Sequence, residues 1–130
     1  MDLSGLTEHL AAVTDEASLR LPVGGRTYDV RPPDLAREAR CWALWATRKI
    51  EDPERLQKAA DEVLAGDSLH VLALGRDVVD EMTEDGVPGV LIRELGNVAL
   101  VAWCLGPAAA QQYVDSLTAS AEDGEESGEA

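Results

Sequence analysis

Leu19-Arg20-Leu21-Pro22-Val23-Gly24-Gly25-Arg26-Thr27-Tyr28-Asp29-Val30-Arg31-Pro32-Pro33-Asp34 is the stretch in which the chain shows its β-structure and then abandons it. Leu19, Leu21 and Val23 alternate with other residues, and so do Tyr28 and Val30, which is the period of a strand with one apolar face. Gly24-Gly25 lies between the two runs, and glycine tolerates the positive φ that a two-residue hairpin turn demands. The spacing therefore predicts a β-hairpin over about 19–31. Pro22 cannot donate to a ladder, so its strand has to be an edge. A lone hairpin is marginal in water and must pack on other elements or gain strands from neighbouring copies. Pro32-Pro33 stops the second strand, and Asp34 is placed to cap a helix.

Downstream, every periodic segment is helical. Leu35, Ala39, Trp42, Trp45, Ala46 and Lys49-Ile50 recur at three- and four-residue spacings and predict a helix to about Ile50 with a buried stripe. Asp52-Pro53-Glu54 is a second start signal: a cap, proline at the first helical position, and an acid at the positive helix end. Leu56, Ala60, Val63 and Leu64 form the next stripe, ended by Gly66. A short helical turn at Leu69 to Leu74 closes at Gly75, and Val78, Val79 and Met82 outline a helix ending at Asp85-Gly86. Pro88 opens the most apolar helix, with Val90, Leu91, Leu95, Val98, Ala99, Ala102 and Trp103, and Gly106-Pro107 breaks it. Ala110, Tyr113 and Leu117 mark a last helix. Upstream of the hairpin, Leu3, Leu6, Leu10 and Val13 share one helical face, with Asp2 or Ser4 as cap, and this helix must lean on the body or on a partner. The expected fold is mainly α: about six helices and one small hairpin in a single domain over 1–119. Residues 120–130, SAEDGEESGEA, hold five acids and no base or large apolar residue, and are expected to be disordered.

The chain of 130 residues fits one domain that buries roughly two thirds of its unfolded surface, enough for a core without disulfides or metals. Asp plus Glu total 25 against 11 Lys plus Arg, a net charge of −14. Setting the tail's five acids aside from that −14 still leaves −9 on the rest. Phosphate backbones and anionic membranes repel such a chain, so nucleic acid and membrane are not expected partners. The longest apolar run, Val98 to Leu105, is far short of the roughly 20 residues of a membrane span. The opening MDLSGLTEHL lacks the basic region of a secretory signal, and a cytoplasmic location is expected. Cys41 and Cys104 sit in apolar surroundings without a CxxC and are expected to be buried, reduced thiols.

The residues offer little chemistry, and neither an enzyme nor a cofactor or metal site is expected. His9 and His70 lie far apart, and structural zinc sites take four protein ligands. Asp67, Ser68 and His70 cluster at a helix start, where polar residues more often cap than catalyse. Gly24-Gly25-Arg26-Thr27 leads into a strand, whereas a phosphate loop leads into a helix. The acidic pairs lack calcium-loop spacing. Trp42, Trp45 and Trp103 stand out in a chain without phenylalanine. They fall on stripes shared with Ala and Leu, which reads as core; tryptophan is also favoured at protein-binding hot spots, so they are the candidate partner-binding residues.

Three blocks of this sequence, in this order, resemble a known family. The first is Leu21-Pro22-Val23-Gly24-Gly25-Arg26-Thr27-Tyr28 with Val30 and Pro32-Pro33. The second is Leu74-Gly75 with Val79, Met82 and Asp85-Gly86-Val87-Pro88. The third is Ala99 followed by Ala110 and Tyr113. Together, over about 19–114, they resemble the tail assembly chaperones of siphophages that infect actinobacteria, although Val114 stands where that family often has an aromatic residue. The resemblance implies a chaperone that binds the phage tape-measure protein, keeps it soluble in the host cytoplasm until tail-tube subunits polymerise around it, and is absent from the finished virion. It also implies a longer form made by ribosomal frameshifting near the end of the short frame, and it supplies no catalytic residues. Self-association is expected from the hairpin edge. The alternative reading is a different acidic protein-binding adaptor, antitoxin-like or regulator-binding.

Overall fold

The hairpin forms where the alternation places it. In the computed structural model, which describes residues 2–129 and side chains as far as 119, β1 (Leu19–Val23) pairs antiparallel with β2 (Arg26–Val30). Val23 faces Arg26 across the turn, so Gly24 and Gly25 are the whole loop, with φ of 55° and 88°. Both are left-handed, the geometry that matches the twist of the flanking strands. Valine at either position is expected to lower stability by about 1–3 kcal/mol, because a β-branched residue is strained there. Thermal melting of each variant checks this, and unchanged melting for both would remove the hairpin turn.

Seven helices accompany the hairpin among the described residues, one more than about six: α1 (Ser4–Ala17), α2 (Leu35–Thr47), α3 (Pro53–Leu64), α4 (Leu69–Leu74), α5 (Arg76–Glu84), α6 (Gly89–Leu105) and α7 (Pro107–Glu129). The caps act as the sequence implies. Asp34 accepts from the Arg37 backbone N–H at 2.8 Å, and Asp52 accepts from that of Glu54 at 3.3 Å with Pro53 at the helix start. α1 differs: Leu3, and neither Asp2 nor Ser4, stands at its N-cap without a side-chain cap, while Asp2 accepts from the backbone N–H and the hydroxyl of Ser4.

The apolar helix α6 is the axis of the body, packing on α4, α7, α2 and α5. Its buried side includes Ile92, Val98, Ala99, Leu100 and Cys104, whereas Val90 and Leu91, expected in that stripe, are exposed on its first turn. Gly96 is where α4 crosses α6. A Cβ at Gly96 would lie 2.7 Å from the Cα and Cβ of His70, so the close approach requires glycine. The hairpin docks through the Leu21, Tyr28 and Val30 face onto a core that contains Leu74, Val79 and Met82.

Helix α2 corrects the sequence reading most. The expected stripe faces outward: Leu35 is 82% exposed and Trp42 48%, with Ala39 and Ala46 also exposed. The inward face is instead Cys41 and Leu44, flanked by Arg37, Arg40 and the half-buried Trp45. The arginines make that face tolerable. Their stems lie along the body, and their guanidinium groups donate to carbonyls that have no partner within their own helices. Arg37 donates to the Leu72 carbonyl at 2.9 Å, and Arg40 to those of Val63 and Leu64 at 3.2 and 2.7 Å.

Both chain ends also differ in detail. α1 buries no residue, and its four apolar side chains are 45–56% exposed. α7 is helical to Glu129 and does not stop near Leu117. Adding residues to a helix already nucleated costs little. The side chains of residues 120–130, where disorder is expected, lie outside the described residues.

Candidate functional site

Many of the residues that carry the family resemblance meet in one structural joint. Leu21 and Tyr28 from the hairpin, Leu74 from α4, Met82 from α5 and Ala99 from α6 belong to a single buried cluster, and Val87 packs against it. The Tyr28 hydroxyl donates to the Asp85 carboxylate at 2.6 Å, and Arg26 forms ion pairs with Glu81 and Asp85 while its guanidinium lies 4.9 Å from the Tyr28 ring centre. The hydrogen bond to Asp85 is the main reason the Tyr28 phenol titrates above its usual range. Gly24 and Gly25 form the hairpin turn, and Gly75 and Gly86 end α4 and α5 with positive φ. Pro22 is exposed and Pro33 half-buried beside the end of α1. Tyr113 lies apart from this joint, on α7, donating to Glu94 of α6 at 2.7 Å. These residues therefore hold the hairpin and helices together, and present no reactive group to solvent.

The three tryptophans have three different roles. Trp103 is half-buried, and its indole N–H donates to the Ala73 carbonyl at 2.8 Å, which ties α6 to α4. Trp45 packs against the core on one face and carries the Arg48 guanidinium 3.6 Å above its ring. Trp42 alone of the three is a surface group, in line with Leu35, Ala39 and Ala46. Those four residues are spaced four, three and four apart, the seam of a coiled coil, which is narrower than the stripe of a core-facing helix. α1 repeats the pattern: Leu3, Leu6, Leu10, Val13 and Ala17 are spaced three, four, three and four apart, all exposed. Among the described residues, both apolar lines are exposed. The sequence leaves a partner open for α1 and for the tryptophans; the 3.5-residue period of Leu35, Ala39, Trp42 and Ala46 is the feature that distinguishes their exposed face from the buried Cys41 and Leu44 face.

Ser68 precedes α4, yet its side chain makes no cap; its hydroxyl lies 3.1 Å from His70 Nε2. Asp67, the neighbouring carboxylate, pairs with Arg40 at 3.3 Å and Arg76 at 3.6 Å and leaves the imidazole without its support. Burial first, then Arg93 and Arg76, keep His70 below its ordinary pKa. Cys41 and Cys104 are buried free thiols, with Cys104 Sγ 3.5 Å from the Cys41 carbonyl. Burial is the main reason both thiols titrate above their usual range, Cys104 at about 11. Among the described residues no three His, Cys, Asp or Glu side chains gather as a metal site, and no helix is long and apolar enough to cross a membrane.

No curated protein and no solved structure matches the chain. A family described as a domain of unknown function, DUF7426, matches residues 6–130, and so includes most of α1, the hairpin and the helical body. With nearly its whole length matched, the chain belongs to the DUF7426 family.

Proposed function

We propose that this chain is a protein-binding chaperone that holds a long helical partner in solution, and that the partner is a phage tape-measure protein in the host cytoplasm during tail assembly. The observation that supports the reading best is the pair of unpartnered coiled-coil seams, Leu35–Ala39–Trp42–Ala46 on α2 and Leu3–Leu6–Leu10–Val13 on α1. A seam of this period recognises an amphipathic helix by its own a and d residues. The net charge of −14 keeps the loaded complex from clumping by self-repulsion. The tape-measure identity of the partner rests on the resemblance of the three sequence blocks.

Co-expression with the tape-measure protein of the same phage tests this reading. The expected result is a soluble complex, measured by pull-down and light scattering, with many copies of this chain on each tape-measure molecule. Trp42→Ala is expected to lower the amount of solubilised partner by roughly tenfold or more, as loss of a tryptophan hot spot does, while the melting temperature changes little. An insoluble tape-measure protein beside a chain that elutes alone defeats the reading. Capture of one compact basic protein at fixed stoichiometry would favour the acidic adaptor in its place.

A further inference from the structure

One cleft in the surface combines apolar walls with two carboxylates. It holds about 180 Å³ and lies between the last turn of α1, the connection from β2 to α2 and the end of α6. Leu19, Pro32, Pro33 and Trp103 are among its walls, and Glu16 and Glu38 are the acids that line it. Among the described residues no base lines the cleft, and neither glutamate forms an ion pair. Ser18 also lines it, but its hydroxyl donates to the Thr14 carbonyl at 3.0 Å, and the Trp103 N–H donates to Ala73. We infer that this cleft takes the side chain of an arginine presented by a protein partner.

Size limits the occupant. Sites for drug-sized molecules and cofactors run from about 300 to 1,000 Å³, so a smaller cleft suits one side chain. Charge then selects it. Glu38 has a local reason for its position: it stands in the first turn of α2, where an acid complements the positive helix end. Glu16 has no such reason. It stands in the last turn of α1, where the helix end is itself negative and no base is present. The neighbouring Asp15 is answered by Arg20 at 3.8 Å, whereas Glu16 has no such cation. Arg20 and Arg31, the bases nearest to the lining residues in sequence, do not line the cleft. A cation supplied from outside answers both carboxylates and the end of α1 together.

Arginine suits these walls better than lysine. Its apolar stem can lie along Leu19 and the prolines while the charged head stays near the carboxylates. The planar guanidinium carries five donors, enough for two carboxylates, is more weakly hydrated than an ammonium, and stacks on aromatic rings. Trp103 supplies an aromatic residue at the cleft, and it is one of the three tryptophans that the sequence marks as candidate contacts. The inference does not depend on the tape-measure reading, since an arginine of any protein partner fulfils it.

The test uses the full chain, with n-butylguanidinium as the stand-in for an arginine side chain and the Trp103 indole resonance in NMR as the readout. That resonance should shift saturably. Guanidinium has the charge without the stem, and n-butanol has the stem without the charge; each should bind at least about tenfold more weakly. n-Butylammonium, the lysine counterpart, should also bind more weakly. The double variant Glu16→Gln, Glu38→Gln alters two exposed residues and should keep its melting temperature, while its dissociation constant for n-butylguanidinium rises by at least about tenfold. The peptide acetyl-Ala-Ala-Arg-Ala-Ala-amide should displace n-butylguanidinium and shift the same resonance. An unmoved Trp103 resonance overturns the inference. Equal binding of n-butanol would make the cleft merely apolar, equal binding of guanidinium would make the effect one of net charge, and equal binding of n-butylammonium would remove the choice of arginine; each overturns it. So does a double variant that binds as the unaltered chain does, or a peptide that fails to displace n-butylguanidinium, which would leave a site for a free small cation only.

Discussion

Replacing Met82 with alanine is expected to destabilise the protein by about 2–5 kcal/mol, the cost of removing a large side chain from a core that cannot fully collapse around the gap. Met82 is completely buried, in the cluster that joins the hairpin residues Leu21, Tyr28 and Val30 to Leu74, Val79 and Ile92. It is also where the two-stranded sheet gains its support, because a hairpin of this size does not persist alone. The midpoint of urea unfolding should fall sharply while the slope stays constant. Leu35→Ala is the matched control. Leu35 is 82% exposed, so its removal should change stability by no more than about 0.5 kcal/mol. A cost for Met82→Ala as small as the control's would mean that the hairpin does not rest on α5.

Placing alanine at Gly96 is expected to cost about 1–3 kcal/mol through overpacking, although alanine favours an isolated helix by about 1 kcal/mol over glycine. The added methyl would stand 2.7 Å from the Cα and Cβ of His70, and a backbone atom cannot swing aside as a flexible side chain can. α4 would have to retreat from α6, and with it the Trp103 indole N–H would be drawn from the Ala73 carbonyl. Gly89→Ala gives the opposite sign at the other end of the scale. Its methyl would meet Arg93 Nη1 at 3.5 Å, an ordinary contact with a mobile group, so the variant should be neutral or slightly more stable. Thermal melting of the two variants side by side separates helix propensity from packing. Equal melting of both would place α4 further from α6 than the structure has it.

These variants address stability, and Trp42→Ala addresses contact. Keeping the two apart matters because the residues that carry the family resemblance lie largely in the core and its turns. Met82, Leu74, Ala99 and Tyr28 are buried, so changes there act through stability. Leu10, Leu35 and Trp42 are the positions at which contact can be altered in a folded protein.

Local chemistry in the sequence determined the elements. Alternation and a Gly-Gly pair specify a hairpin at 19–31, Asp34 and Asp52-Pro53 start α2 and α3, and Gly106-Pro107 divides α6 from α7; each signal acts within a few residues, through φ preference, a cap or a missing N–H, and so is legible without knowing the fold. The thiols were legible too, since an apolar neighbourhood implies burial. The direction each stripe faces was not. The α2 residues Leu35, Ala39, Trp42 and Ala46 form a better apolar line than the Cys41 and Leu44 face that is buried. The buried face prevails because Arg37 and Arg40 reach the carbonyls of Leu72, Val63 and Leu64, atoms that only the packed arrangement of α3 and α4 brings within range. The need for glycine at position 96, the Tyr28–Asp85 hydrogen bond and the outward seams arise in the same way. They depend on contacts between residues far apart in the chain, and tertiary packing alone decided which apolar faces the body covers and which it leaves exposed.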